Sequence, residues 1–226
     1  MSPETRLQDV VPLVPELGKR ASEVNELLGL SLSPGEKEPD PGGPWEVIHG
    51  SGILFSAPHE VIHIRDGAEK RAETGTRALA FALARYTSGS GIATAPEQSG
   101  DPNWDIGHPY VNRAQALAED CPTVDIHMMR PRGVDLCIGL GPHPELAEGL
   151  WPVFVEEAVA AGLRVSVNWP FAGSPRTVTG QLQARGLRAI QIEVCYECFN
   201  LSDTAMVRAW SSIGRAARRL KGADRR

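Results

Sequence analysis

From Thr123 to Leu220 the sequence alternates strand-like and helix-like segments, and this alternation constrains the fold more than any other feature. Thr123–Met128, Val134–Ile138, Arg164–Val167 and Ala189–Val194 are short and rich in β-branched and apolar residues, as buried strands are. Helical patterns follow at Pro144–Ala161, around Gln181 and from Asp203 to about Leu220. Strands alternating with helices imply a mixed or parallel sheet covered on both faces.

The first half is less regular. A helix is expected over Pro15–Leu30, with Leu17, Val24, Leu27 and Leu28 on one face, followed by the polar loop SPGEKEPDPGGP. Trp45–Gly50 and Gly52–Ala57 read as two strands that Gly50-Ser51-Gly52 joins in a hairpin. Asp66–Thr87 reads as one helix with an apolar body from Leu79 to Ala84, weakened by Gly75. A strand at Ile92–Ala95, the loop PEQSGDPNWDIGHP and a helix over Tyr110–Asp120 complete this half. At 226 residues the chain suits one domain, with residues 1–44 as a leading helix and loop and 45–226 as the core.

Composition narrows the function classes. A net charge of -5 and 6% aromatic residues leave no basic, aromatic footprint for nucleic acid. No apolar run approaches the roughly 18 residues of a membrane helix, and the amino terminus lacks a basic start followed by an apolar core. A cytoplasmic protein is therefore expected. Its four cysteines fit a reducing compartment, and Cys195-x-x-Cys198, lacking a second pair, reads as buried thiols at a strand end.

Chemistry-bearing residues gather at strand ends. His59 follows the apolar run Ile53–Phe55 and the break Ser-Ala-Pro, which places it at the edge where open α/β sheets bind ligands. His59-Glu60-Val61-Ile62-His63 spells the H-E-x-x-H signature of zinc peptidases, which works only on a helix, with both histidines on one face and the glutamate as base. Pro58, the β-branched Val61, Ile62 and Ile64, and Gly67 argue against a helix there, so this stays an alternative reading.

The two-residue period of a strand puts Asp125 and His127 on one face of TVDIHMM, opposite Val124, Ile126 and Met128. Either a hydrogen-bonded core pair or metal ligation explains them. Gln191, Glu193 and Cys195 share a face of the next such strand, where a lone buried carboxylate suits a general base or a ligand better than a salt bridge to an arginine. On the expected helix, Glu69, Glu73, Thr76, Ala80 and Leu83 form one stripe, with Glu73 deeper than Glu69. The loops Gly100–Asp105 and Asn168–Ser174 follow strands and are rich in turn residues.

Taken together, SAPH, the following R-x-G-x-x-K-x-x-E, DPN, DIH, N-x-P-F-x-G and QIEV resemble the N-formylglutamate amidohydrolases, relatives of the zinc carboxypeptidases, in order from Ser56 to Glu193. The resemblance implies a three-layer α/β/α fold with a mixed, mostly parallel sheet. It implies zinc (Zn2+) held by His59, His127 and the carboxylate of Glu73, with Glu60, Glu69 and His63 as rivals for the third place. Glu193 is the implied general base and acid, acting on zinc-bound water as nucleophile. Asp125 would orient a ligand from behind, and Asn103, Arg113, Asn168 and Arg176 would meet the substrate, with Arg65, Arg130 and Arg132 as further candidates.

Where family members carry D-x-N-R, this chain has Asp101-Pro102-Asn103-Trp104, so the expected substrate arginine is absent at 104. The expected function is hydrolysis of the amide of an N-formyl or N-acyl amino acid or a related small amide. The alternatives are an H-E-x-x-H peptidase and a non-catalytic protein that binds a small acid or a partner on the same fold.

Overall fold

A computed structural model describes residues 38–39, 43–96, 99–119, 121–199 and 204–223. The helix expected at Pro15–Leu30 lies outside the described residues. Strands in chain order are β1 (Glu38–Pro39), β2 (Trp45–Ile48), β3 (Leu54–Ala57), β4 (His63–Arg65), β5 (Ala68–Lys70), β6 (Ser90–Thr94), β7 (Thr123–Met129), β8 (Leu136–Gly139), β9 (Val165–Val167) and β10 (Ala189–Cys195). The helices are α1 (Thr76–Thr87), α2 (Pro109–Ala118), α3 (Trp151–Ala160), α4 (Val178–Gln183) and α5 (Thr204–Ala223).

Eight strands form one mixed sheet in the order β1-β2-β6-β3-β7-β10-β8-β9. β6, β3, β7 and β10 run parallel, as do β8 and β9, while β1 against β2, β2 against β6, and β10 against β8 are antiparallel. Helices α1, α3 and α5 pack on one face of the sheet and α2 and α4 on the other, giving the three layers expected.

Strand periodicity decides what each face holds. Val124, Ile126, Ile190, Ile192 and Val194 join Leu79, Phe81, Phe154, Trp210 and Ile213 in the larger apolar cluster, so Asp125, His127, Gln191 and Glu193 point the other way. The alternation fails in the last residues of both strands, against the sequence expectation: Cys195 packs into the apolar cluster, and Met128 lines the cavity beside His127.

Four elements depart from the sequence reading, the first being β1, which pairs with β2 from within the stretch expected as a polar loop. β2 and β3 do not form a hairpin, because β6 lies between them, antiparallel to β2 and parallel to β3. Gly50 is needed for closeness rather than for a tight turn: a Cβ there would lie 2.1 Å from the Gly89 carbonyl oxygen. The expected helix from Asp66 to Thr87 begins only at Thr76, and its first part is the hairpin β4–β5. Asp66 (φ 50°) and Gly67 (φ 78°) form the turn, and two successive left-handed residues are what a tight two-residue hairpin requires. The expected helix Pro144–Ala161 is split into a 3-10 turn at Pro144–Ala147 and α3, with the left-handed Gly149 between them.

Candidate metal and active site

Strands β7 and β10 and the segments after β3, β5, β6, β7 and β9 line a cavity of about 540 Å³ whose lining includes His59, Glu73, His127 and Glu193. His59 enters two residues after β3, where Pro58 ends the strand. Residues 59–61 form turn and bend, Ile62 is irregular and His63 starts β4, so the helix that an H-E-x-x-H site needs is absent here. Glu60 is engaged elsewhere, accepting from the N–H groups of Gly75 and Arg77 at the start of α1. His63 is buried against the His59 ring, and its Nδ1 pairs with the Gly100 carbonyl.

Ligand atoms of His59, Glu73 and His127 lie within 4.8 Å of one another. The His59 Nδ1 is 3.1 Å from Glu73 Oε1 and the His127 Nδ1 is 3.1 Å from Glu73 Oε2. Both rings turn their other nitrogen to a fully buried carboxylate, His59 Nε2 to Asp101 at 2.9 Å and His127 Nε2 to Asp125 at 3.0 Å. A carboxylate behind each imidazole fixes ring orientation and raises basicity, which is the arrangement that metal-ligating histidines favour. Asp101 is held in turn by Arg65, whose Nε donates at 2.8 Å. Glu73 accepts from the Met128 N–H and from Lys70.

The electrostatics follow from this crowding. Burial by itself would raise the Glu73 carboxyl, but the charges and hydrogen bonds of His59 and His127 hold it well below the usual carboxylate range. Burial likewise opposes ionisation of Asp101, and the His59 hydrogen bond and charge outweigh it and keep Asp101 low. His127 runs against its burial, raised well above the ordinary imidazole value by Asp125 and Glu73. The donor set of two imidazoles and a carboxylate, with two outer carboxylates, therefore fits a zinc ion.

Glu193 stands beside His127 in the parallel register of β7 and β10. Its carboxyl is pushed up to about 7, chiefly by burial, with the negative charges of Glu73 and Asp125 adding to the push. The Gln191 amide donates to it at 3.3 Å.

The other expected site residues divide. Asn103 lines the cavity, with its Nδ2 3.3 Å from His127 Nε2 and its Oδ1 accepting from the Val178 N–H. Arg176 lies over the Trp104 ring at 4.5 Å, with Arg65 over the same ring at 4.9 Å. Arg113 sits on α2 and Asn168 accepts from the Leu140 N–H; neither is among the residues that line the cavity. Glu69 is exposed on β5, opposite Ile64. Arg65, Arg130, Arg132 and Lys70 do line the cavity. Sequence reasoning missed the role of Asp101 behind His59, although its place in a loop after a strand was a usable signal.

The mixed, mostly parallel sheet between two helix layers is a three-layer α/β/α fold. Solved structures share it. One is an N-formylglutamate amidohydrolase from Ralstonia eutropha JMP134, with a TM-score of 0.59 and 14% identity over 80% of this chain and 98% of that one. Another is gene product Atu2144 from Agrobacterium tumefaciens, with a TM-score of 0.56 and 17% identity over 80% and 93% of the two chains. A bacteriophage poly-gamma-glutamate hydrolase gives a TM-score of 0.52 and 13% identity over 83% and 92%. No protein-family model and no curated protein sequence matches the chain.

Proposed function

We propose that the chain is a zinc-dependent amidohydrolase that cleaves the amide of an N-formyl or N-acyl amino acid or a related small amide. The observation that carries this is the His59, Glu73 and His127 cluster sharing one cavity with Glu193, a buried carboxyl poised at about 7. When bound, zinc supplies a Lewis acid that polarises the amide carbonyl and acidifies water. His59, Glu73 and His127 would hold it, while Asp101 and Asp125 keep the two imidazoles oriented with their Nδ1 atoms inward.

Glu193 takes a proton from the attacking water and delivers it to the departing amine nitrogen as the carbon–nitrogen bond breaks. A group titrating near the working pH can do both. Arg130, Arg132 and Lys70 on the cavity wall favour a substrate that carries a carboxylate. The peptidase reading loses its support, since residues 59–63 are not helical and Glu60 is bonded to α1.

The test is metal analysis joined to turnover on a panel of N-formyl and N-acyl amino acids. Stoichiometric zinc, hydrolysis of at least one member, loss of activity with a chelator and its return with zinc are expected. Stoichiometric zinc without turnover would favour a binding protein on the same fold, and the absence of zinc would refute the metal site.

A further inference from the structure

Glu60 has no part in the reaction proposed above, yet one of its oxygens makes three hydrogen bonds. Glu60 Oε2 accepts from the Gly75 N–H at 3.1 Å, the Arg77 N–H at 2.9 Å and the Thr76 hydroxyl at 3.3 Å. These donors open α1, whose N-cap is Gly75 and has no side chain to satisfy them. A carboxylate reaching from the segment after β3 takes over that task, and its charge suits the positive end of the helix.

A second tie runs parallel to the first: the Glu73 N–H donates to the His59 carbonyl at 2.8 Å. The Thr76 hydroxyl shares its one proton between Glu60 and the Glu73 carbonyl, the latter at the shorter distance of 2.9 Å. His59 and Glu73 are thus each one or two residues from a group that Glu60 binds or from Glu60 itself. The hairpin β4–β5 that joins them in sequence is a sheet of its own, apart from the eight-stranded one. Their spacing is therefore set by the tie between the His59 segment and the first turn of α1 together with the bonds that Met128 and Lys70 make to Glu73.

We propose that Glu60 is a positioning residue of the metal site, helping to set the separation of His59 and Glu73 by fastening the chain after β3 to the start of α1. This rests on the reading of His59, Glu73 and His127 as metal ligands. Loss of a partner bonded directly to a ligand costs metal affinity on the order of 10- to 100-fold, and loss of Glu60, which acts through the backbone, should cost about the lower end of that range.

The experiment measures the zinc dissociation constant of the full chain by competition with a chromophoric chelator, together with thermal stability. Four proteins are compared: the natural chain, Glu60→Ala, Glu60→Gln and Thr87→Val. Glu60→Ala should weaken zinc about 10-fold, whereas Glu60→Gln, whose amide oxygen still accepts from Gly75 and Arg77, should stay within about threefold. Thr87→Val removes the hydroxyl that donates to the Leu83 carbonyl at the far end of the same helix, so it should lower stability and leave zinc affinity unchanged.

Unchanged affinity in Glu60→Ala overturns the proposal, as does an equal loss of affinity in Thr87→Val. If Glu60→Ala does not fold, Glu60→Asp, one methylene too short, must bind zinc more weakly than Glu60→Gln or the proposal fails. A natural chain that takes up no zinc overturns the metal-site reading itself, a result separate from any contrast among the variants.

Discussion

His127 sits between two carboxylates, and its imidazole is raised well above its ordinary value in the metal-free chain. To ligate through Nδ1 it must give up a proton, so zinc uptake near pH 7 should release about one proton from this residue. Calorimetric titrations in buffers of different ionisation enthalpy read that release directly, and its absence would mean that His127 is neutral or not a ligand. Glu193 also makes stability depend on pH. Its folded carboxyl, near 7, lies above the unfolded value, so its contribution is fully present below about pH 4 and is lost as pH rises through 7. Glu193→Gln removes that dependence. Metal-free Glu193→Gln should match the natural chain near pH 4 and exceed it by up to about 3 kcal/mol at pH 8 in urea unfolding. Equal stability at both pH values would show that Glu193 is not forced into the neutral form.

The hairpin β4–β5 changes which carboxylate can reach the site. As one helix, Asp66–Thr87 would have stacked Glu69 above Glu73; as a hairpin and a loop it leaves Glu69 exposed and carries Glu73 inward to both histidines. Zinc occupancy should accordingly survive Glu69→Gln and fall in Glu73→Gln, and the reverse ranking would refute the ligand assignment. The signal for the hairpin was present as Asp66-Gly67, but the helix-forming residues of AEKRAE outweighed it in the reading of the sequence. Where α1 does begin, Gly75 has φ 105°, and a Cβ there would come within 3.0 Å of the Phe199 ring. Gly75→Ala should therefore destabilise the chain by about 1–2 kcal/mol in urea unfolding, by left-handed strain. Gly75 marks the helix start rather than a weakness inside the helix.

At the scale of the whole molecule, the layers were legible in the sequence because β7 and β10 are buried strands that alternate over most of their length. Val124 and Ile126, like Ile190 and Ile192, could only face an apolar layer, which left Asp125, His127, Gln191 and Glu193 on the opposite face. What the pattern could not supply was neighbourhood across the sheet. Nothing local in WEVIHG or GILFSA says that β6, thirty-odd residues later, inserts between them, and nothing in GDPNWD says that Asp101 meets His59. Non-local pairing also decides the site, since the segment after β3, the loop before α1, and strands β7 and β10 must converge before His59, Glu73, His127 and Glu193 share a cavity.

That convergence is the central claim, and Glu193→Gln tests it with one atom exchanged for another. The measurement pairs zinc content with turnover on a substrate that the natural chain hydrolyses. Retained stoichiometric zinc and an unchanged fold, with turnover reduced roughly 10²- to 10⁴-fold, is the predicted result for a positioned general base. Loss of zinc would make Glu193 a ligand, and full activity would remove it from the reaction; either contradicts the account.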